Sequence, residues 1–482
     1  MKERSGNAMK KRGGIRDSIG MLAAAGLFVV LIGLTAVLIM IFLASSSEAE
    51  NFDLEQVTAD KTTSTVDLTG YFLPEFAGIT TDGKRRGISS SSGIVGELFR
   101  LGAPAAAELL TVDCFRGEIS EDEWLKLAAE ENSLYFRFHV RTPLPLLTMF
   151  AGLYSGQETG MSVQGYACEL LILPYMESEQ YQSGMIRAAV RDSNGTVYLF
   201  AKTAPQSMMT AEDLAQTADA YRSSMYSFVF AMDDYPASSP TEPVFTVPVL
   251  FRNIIITGDT ATLMSDSDTE VLQRAFEINP DKLLTSHTDE NGTRSYTDTQ
   301  GALYILPSEI LYRSTSDSGI RVNDLTAVTM STTAKTLQGY VAASVEMWRR
   351  ISSVGKLYTG DEADLMLTSV AADGSTVTVR FAYTVDNLRI MTGIPAFEAV
   401  FENGSLRSAS VHTISVMNLG TRGESMGETW FYNSLVAAMP ENVTLVYRDR
   451  YASPNSADYT ADAVGAEWAA VTAVTDERKK GG

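Results

Sequence analysis

Hydrophobic and polar positions divide this chain into one unbroken apolar run and a long, periodically patterned remainder. From Ser18 to Ser47, SIGMLAAAGLFVVLIGLTAVLIMIFLASSS, no charged residue occurs. At about 1.5 Å of rise per residue, roughly 20 apolar residues cross a bilayer core about 30 Å thick, and the run from Ile19 to Ala44 exceeds that. Beyond it, Leu337, Tyr340, Val341, Val345 and Trp348 make a helical stripe over Thr336 to Ser352. Ser120-Glu-Asp-Glu123 and Thr210-Ala-Glu-Asp213 have the form of capping boxes and predict helices directly after them. A further helix is predicted from Thr269 to Ile278, stopping before Pro280. STVTVRFAY alternates as a strand, with Val377, Val379, Phe381 and Tyr383 on one face. Asn194-Gly195, Asn291-Gly292, Asp373-Gly374 and Asn403-Gly404 favour φ > 0 and adjoin β-rich runs, so hairpins are predicted there. Three of these Asn sites also fit a glycosylation pattern, which an Asn-Gly turn followed by Ser or Thr explains without sugar. Segregated helices among antiparallel strands predict an α+β fold.

The patterning implies an order of parts. Residues 1–17 form a basic leader and 18–47 a transmembrane helix. Residues 48–235 are a first module outside the membrane, and 236–246 a Pro/Ser-rich linker. Residues 247–333 and 334–475 are two smaller α+β modules, and 476–482 a tail. The leader has six Lys/Arg against Glu3 and Asp17, while the whole chain carries −21, so roughly −25 lies beyond the leader. Basic residues stay inside, which predicts a single-pass protein with a cytoplasmic N-terminus and an exported C-terminal ectodomain. A signal peptide's apolar region is shorter, about 7 to 15 residues. The small-residue stretch Leu43-Ala44-Ser45-Ser46 leaves cleavage as the alternative. Ala23, Gly26, Gly33 and Ala36 recur near one face of the span, where small residues let another helix approach closely. Their plain frequency in membrane helices is the competing explanation. The acidic remainder offers no basic patch, so nucleic acid is not an expected partner. Cys114 and Cys168 are the two cysteines, able to pair outside the cytoplasm or to remain buried thiols.

Motifs that suggest chemistry are isolated. Gly78-Ile-Thr-Thr-Asp-Gly83-Lys84 approaches a phosphate loop, but Arg85 stands where a hydroxyl should hold magnesium. Gly423-Glu-Ser425-Met-Gly427 matches a nucleophile elbow, yet no His follows His412 in the chain. Ser353-Val-Gly-Lys356 matches the SxxK pattern of penicillin-recognising enzymes without its companion motifs. Asp266-Ser-Asp268-Thr-Glu270 with Glu277 resembles a calcium loop, but Val271 replaces the glycine its turn needs. Helix capping and the macrodipole explain those acids better. In YFRFHVRTPLPL, strand alternation puts Tyr135, Arg137, His139 and Arg141 on one face. This is either a cationic patch for an anionic ligand or, more simply, the solvated face of a half-buried strand. The expected lists of catalytic residues, metal ligands and cofactors are therefore empty.

Tyr296 to Ser314, YTDTQGALYILPSEILYRS, and Asn387 to Val411, with its Gly393-Ile-Pro395-Ala-Phe397 element, resemble the extracytoplasmic domains of the YycH/YycI family. Tyr447 and Trp468 in the closing segment are similar to that family's terminal strands. The likeness covers about the last 240 residues and is one of architecture; the first module shows none. The resemblance implies a non-enzymatic, membrane-anchored regulator of the Gram-positive cell envelope. It implies a membrane sensor histidine kinase of a cell-wall two-component system as partner, alongside a sister accessory protein, with association partly through membrane helices. The alternatives are an anchored binding module for an envelope polymer or peptide, and a cell-wall Ser/Lys hydrolase built on Ser353 and Lys356.

Overall fold

The computed structural model describes residues 67–130, 132–156, 159–176, 184–203, 209–230, 243–258, 260–290, 292–315, 319–326, 336–354, 363–425, 443–448, 463–464 and 466–470. Among these it is an α+β protein built on mostly antiparallel sheets. No described helix is long and apolar enough to cross a membrane, and the Ser18–Ser47 span lies outside the described residues.

Nine strands form the first sheet: β1 (Phe76–Thr81), β2 (Lys84–Ile88), β3 (Phe115–Ile119), β4 (Ser133–Pro143), β5 (Tyr166–Met176), β6 (Met185–Arg191), β7 (Val197–Thr203), β8 (Tyr226–Phe230) and β9 (Pro243–Phe245). Their order is β3-β7-β6-β5-β4-β1-β2-β8-β9, antiparallel throughout. β9 falls within the stretch expected to be linker, and its three residues are buried against β8. One face of the sheet is covered by α1 (Ser92–Leu109) and α3 (Leu144–Ser155). There Phe72 stacks on Phe150 with centroids 4.2 Å apart, beside Phe99, Phe136 and Phe138. The other face carries Phe76, Tyr135, Phe228 and Phe230 with Trp124 of α2 (Glu121–Glu130), and α4 (Ala211–Ala220) packs beside it.

The capping boxes act as expected at two helices. Ser120 Oγ accepts from Glu123 N at the start of α2, and Thr210 with Asp213 closes a full box on α4. Helices α1 and α3 were not legible. Gly102-Ala-Pro104 punctuates α1 like a loop, yet the helix continues through Pro104. Gly102 lets α1 lie close on the sheet, since a Cβ there would sit 2.9 Å from the terminal methyls of Ile172 and Leu134, which would have to shift. α3 is apolar on all sides, so it shows no stripe to detect.

The rest of the chain builds a three-stranded and a twelve-stranded sheet. The strands are β10 (Leu250–Thr257), β11 (Thr285–Thr288), β12 (Arg294–Thr297), β13 (Gly301–Ile305), β14 (Glu309–Ser314), β15 (Ile320–Arg321), β16 (Asp364–Asp373), β17 (Thr376–Val385), β18 (Leu388–Met391), β19 (Phe397–Glu402), β20 (Ser405–His412), β21 (Ser415–Glu424), β22 (Val443–Arg448), β23 (Ala463–Val464) and β24 (Ala466–Ala470). The large sheet runs β11-β12-β13-β14-β20-β19-β17-β18-β22-β24, with β15 on β20 and β16 on β17. β18 and β22 pair in parallel. Because β14 pairs with β20, and β10 with β21, pairing joins residues 247–333 to residues 334–475.

Three helices accompany these sheets: α5 (Asp266–Ala275), the short α6 (Val322–Thr326) and α7 (Leu337–Ser352). α5 starts three residues earlier than the sequence suggested, because Ser265 and Asp268 form its capping box. α7 lays Tyr340 on Phe401, and Trp348 on Tyr383 and Phe397. Val341, Val345 and Ile351 are wholly buried with them. At about 1.5–3 kcal/mol per buried large side chain, this face outweighs any propensity difference along α7.

Candidate functional site

Strand β4 carries the face singled out by sequence, and its environment differs from a solvated one. Tyr135 is 1% exposed and Arg137 9%, His139 is half-buried, and Arg141 is exposed. The open surface expected beneath Arg137 is occupied by other parts of the fold. Arg137 stands opposite Glu169 on β5, which stands opposite Arg191 on β6. Glu75, just before β1, meets Arg137 Nη2 at 3.3 Å. Arg191 reaches Glu169 at 3.0 Å and Glu121 at 3.1 Å. The result is an alternating row, Glu75–Arg137–Glu169–Arg191–Glu121, running across the sheet.

A second element completes the cluster. The turn between β17 and β18 holds Asp386 at φ 49° and Asn387 at φ 71°. Asp386 pairs with Arg252. Asn387, 1% exposed, points its amide at the first sheet. Its Nδ2 donates to the carbonyls of Pro74 (2.9 Å), Glu75 (3.2 Å) and Ser89 (3.3 Å). Arg389 follows on β18 and adds a charge that interacts with Glu75. The twelve-stranded sheet is thereby hydrogen-bonded to the nine-stranded one.

The electrostatics follow from burial. Removal from water pushes the Glu75 and Glu169 carboxyls up, opposed chiefly by Arg137 at Glu75 and by Arg191 at Glu169. Burial draws His139 down to about 3, with the Arg389 and Arg137 guanidiniums adding to it and the Asn387 amide opposing. His139 Nε2 is shut off from solvent and has no hydrogen-bond partner among the described residues. Arg137 and Arg191 are each paired with a glutamate, and Arg389 interacts with Glu75, so none of these three guanidiniums lies without an acidic neighbour.

Arg141 stands apart from this cluster. Its guanidinium lies 3.8 Å from the Tyr166 ring centroid, and it lines a small crevice of about 10 Å³ with Phe72, Pro143, Leu146, Leu367 and Ser369. A single water needs roughly 10–15 Å³ by this measure, so the crevice is water-sized. Arg137 and His139 are thus brought together, and Arg141 is not joined to them.

The remaining motifs take structural roles. Asp82-Gly83, both at positive φ, make the β1–β2 hairpin turn, so Gly78 to Lys84 is no phosphate loop. Ser425 directly follows β21, where its Oγ accepts from Val249 N and its N–H donates to Val249 O; no helix follows within the described residues. Ser353 caps α7 and donates to Arg350 O at 2.7 Å, while Lys356 lies outside the described residues. Asp266 and Asp268 sit in the first turn of α5. Cys114 and Cys168 are free thiols, and burial pushes Cys168 up to about 12. Ala23, Gly26, Gly33 and Ala36 lie outside the described residues.

Sequence reasoning missed Glu75, Glu169, Arg389 and Asn387. Isolated acids in strands read as solvent-facing, and only the Asp386-Asn387 turn pair carried a signal. Comparison with known proteins gives no match: no protein-family model, no curated protein and no solved structure is significantly similar to the chain.

Proposed function

We propose that the protein is a membrane-anchored, extracytoplasmic accessory protein that works by binding, and that it modulates a membrane sensor histidine kinase through helix packing. The observation that carries the anchor is the uncharged Ser18–Ser47 stretch between a basic leader and an acidic remainder. The small-residue face of Ala23, Gly26, Gly33 and Ala36 supports a partner helix. The hydroxyls that resembled nucleophiles, Ser353 and Ser425, are engaged with backbone groups, which favours a binding role over a Ser/Lys hydrolase. The kinase as partner rests on the family resemblance of the quoted segments alone.

The test is a membrane two-hybrid assay between the full chain and candidate kinases. Replacing Gly26 and Gly33 with Leu is expected to weaken association strongly, and unchanged association would remove helix packing. A second reading, an anchored module that holds an envelope polymer or peptide, is favoured by the exposed Arg141 and the exposed Tyr166 ring it lies over. Arg141→Ala should then lower retention of purified cell-wall fragments without affecting kinase association.

A further inference from the structure

Strand β3, FRGEI, ends the nine-stranded sheet and pairs with β7 alone, so among the described residues no strand lies along its outer edge. Its sequence is self-complementary. Set antiparallel to itself about Gly117, Arg116 of one copy faces Glu118 of the other twice over, and Phe115 faces Ile119. Arg116 and Glu118 are both exposed, and among the described residues neither forms an ion pair within its own chain. Among the described residues, Arg116 donates to the carbonyls of Asp113 and Phe115. The flank is apolar: Val112 is 51% exposed and Met161 54%, joined by a 2.9 Å backbone bond, and Phe115 is 36% exposed.

We propose that β3 is a homotypic docking edge at which a second copy of this chain adds its own β3 in antiparallel register, continuing the sheet across a two-fold axis at Gly117. Opposite charges and paired apolar side chains directly across a strand pair attract, and a two-fold contact must be self-complementary in this way. β3 carries a register shift against β7 between Phe115 and Gly117, and Gly117 sits at φ 122°. Such a bulge discourages pairing with an arbitrary flat strand. A second β3 has the same irregularity, and the two bulges flank the axis symmetrically. That selects a second copy over an unrelated peptide. Five residues bury less than the roughly 1,000 Å² of an independent interface, so the contact works when copies are held near each other, as a common membrane would hold them.

The test uses the full chain reconstituted in lipid vesicles, with association read by energy transfer between differently labelled copies. Arg116→Glu and Glu118→Arg each turn both cross-strand pairs repulsive. Each is expected to weaken self-association at least about tenfold with unchanged circular dichroism. Mixed together, the two variants face opposite charges at every pair and should associate at least as well as the parent. Self-association insensitive to both changes, or failure of the mixture to associate, overturns the proposal. A Gly26→Leu/Gly33→Leu variant isolates any contact made by the membrane segment.

Discussion

Asn387 offers the sharpest test of how the two large sheets are held together. Its amide reaches three carbonyls that flank β1 and β2 of the first sheet, but an NH2 group has two protons, so about two full hydrogen bonds can be counted. Asn387→Ala removes both at about 1 kcal/mol net each and leaves buried carbonyls without their donor, a further cost of about 1 kcal/mol or more. The residue also sits at φ 71°, which Asn tolerates and Ala resists by about 1–2 kcal/mol. The sum is about 4–5 kcal/mol against a typical total of about 5–15. Asn387→Gly loses the hydrogen bonds but not the backbone fit, so it should fall about 1 kcal/mol short of the Ala effect. Urea unfolding gives the two values. Native-state hydrogen exchange should show β1, β2 and β18 losing protection together. Both variants lying within about 0.5 kcal/mol of the parent, or lost protection confined to β18, would refute the idea that this amide couples the sheets.

Further outcomes follow from the same geometry. Glu169→Ala should cost about 3 kcal/mol, because it strips both Arg137 and Arg191 of a buried countercharge, whereas Glu169→Gln retains the packing and should cost less; chemical unfolding distinguishes them. His139 has a folded-state value of about 3, below its unfolded value near 6.5. Its neutral form therefore favours the fold fully above about pH 6.5, and that contribution is lost as pH falls toward about 3. Compared with His139→Gln, the parent should lose about 1 kcal/mol more per pH unit between pH 6 and pH 4. Parallel curves would remove His139 from the account, since Glu75 and Glu169 titrate in both proteins. Gly319→Ala should lower stability by about 2–4 kcal/mol, because φ is 54° and the new Cβ would lie 2.5 Å from the Leu406 carbonyl oxygen; a melting temperature unchanged within 1 °C, about the effect of a few tenths of a kcal/mol, would contradict this.

Local signals in the sequence determined local structure. Thr210 and Asp213 capped α4, Asn403-Gly404 turned β19 into β20, and the alternation of Val377, Val379, Phe381 and Tyr383 buried one face of β17. Each of these depends on residues within a few positions of one another. Where long-range pairing decides, the pattern was silent or misleading. The polar face of β4 has the alternation of a solvated strand, and only the tertiary arrangement places Glu75, Glu169, Arg191 and Arg389 around it. Charge partners as far apart as Glu75 and Arg389 leave no period to detect. The edge position of β3 is likewise a property of sheet order, although the self-complementarity of FRGEI was always present. Uncharged length alone determined the membrane reading of Ser18–Ser47, because a bilayer selects on hydrophobic thickness. What surrounds a buried charge was decided by the fold, since only packed neighbours can replace the water that charge gives up.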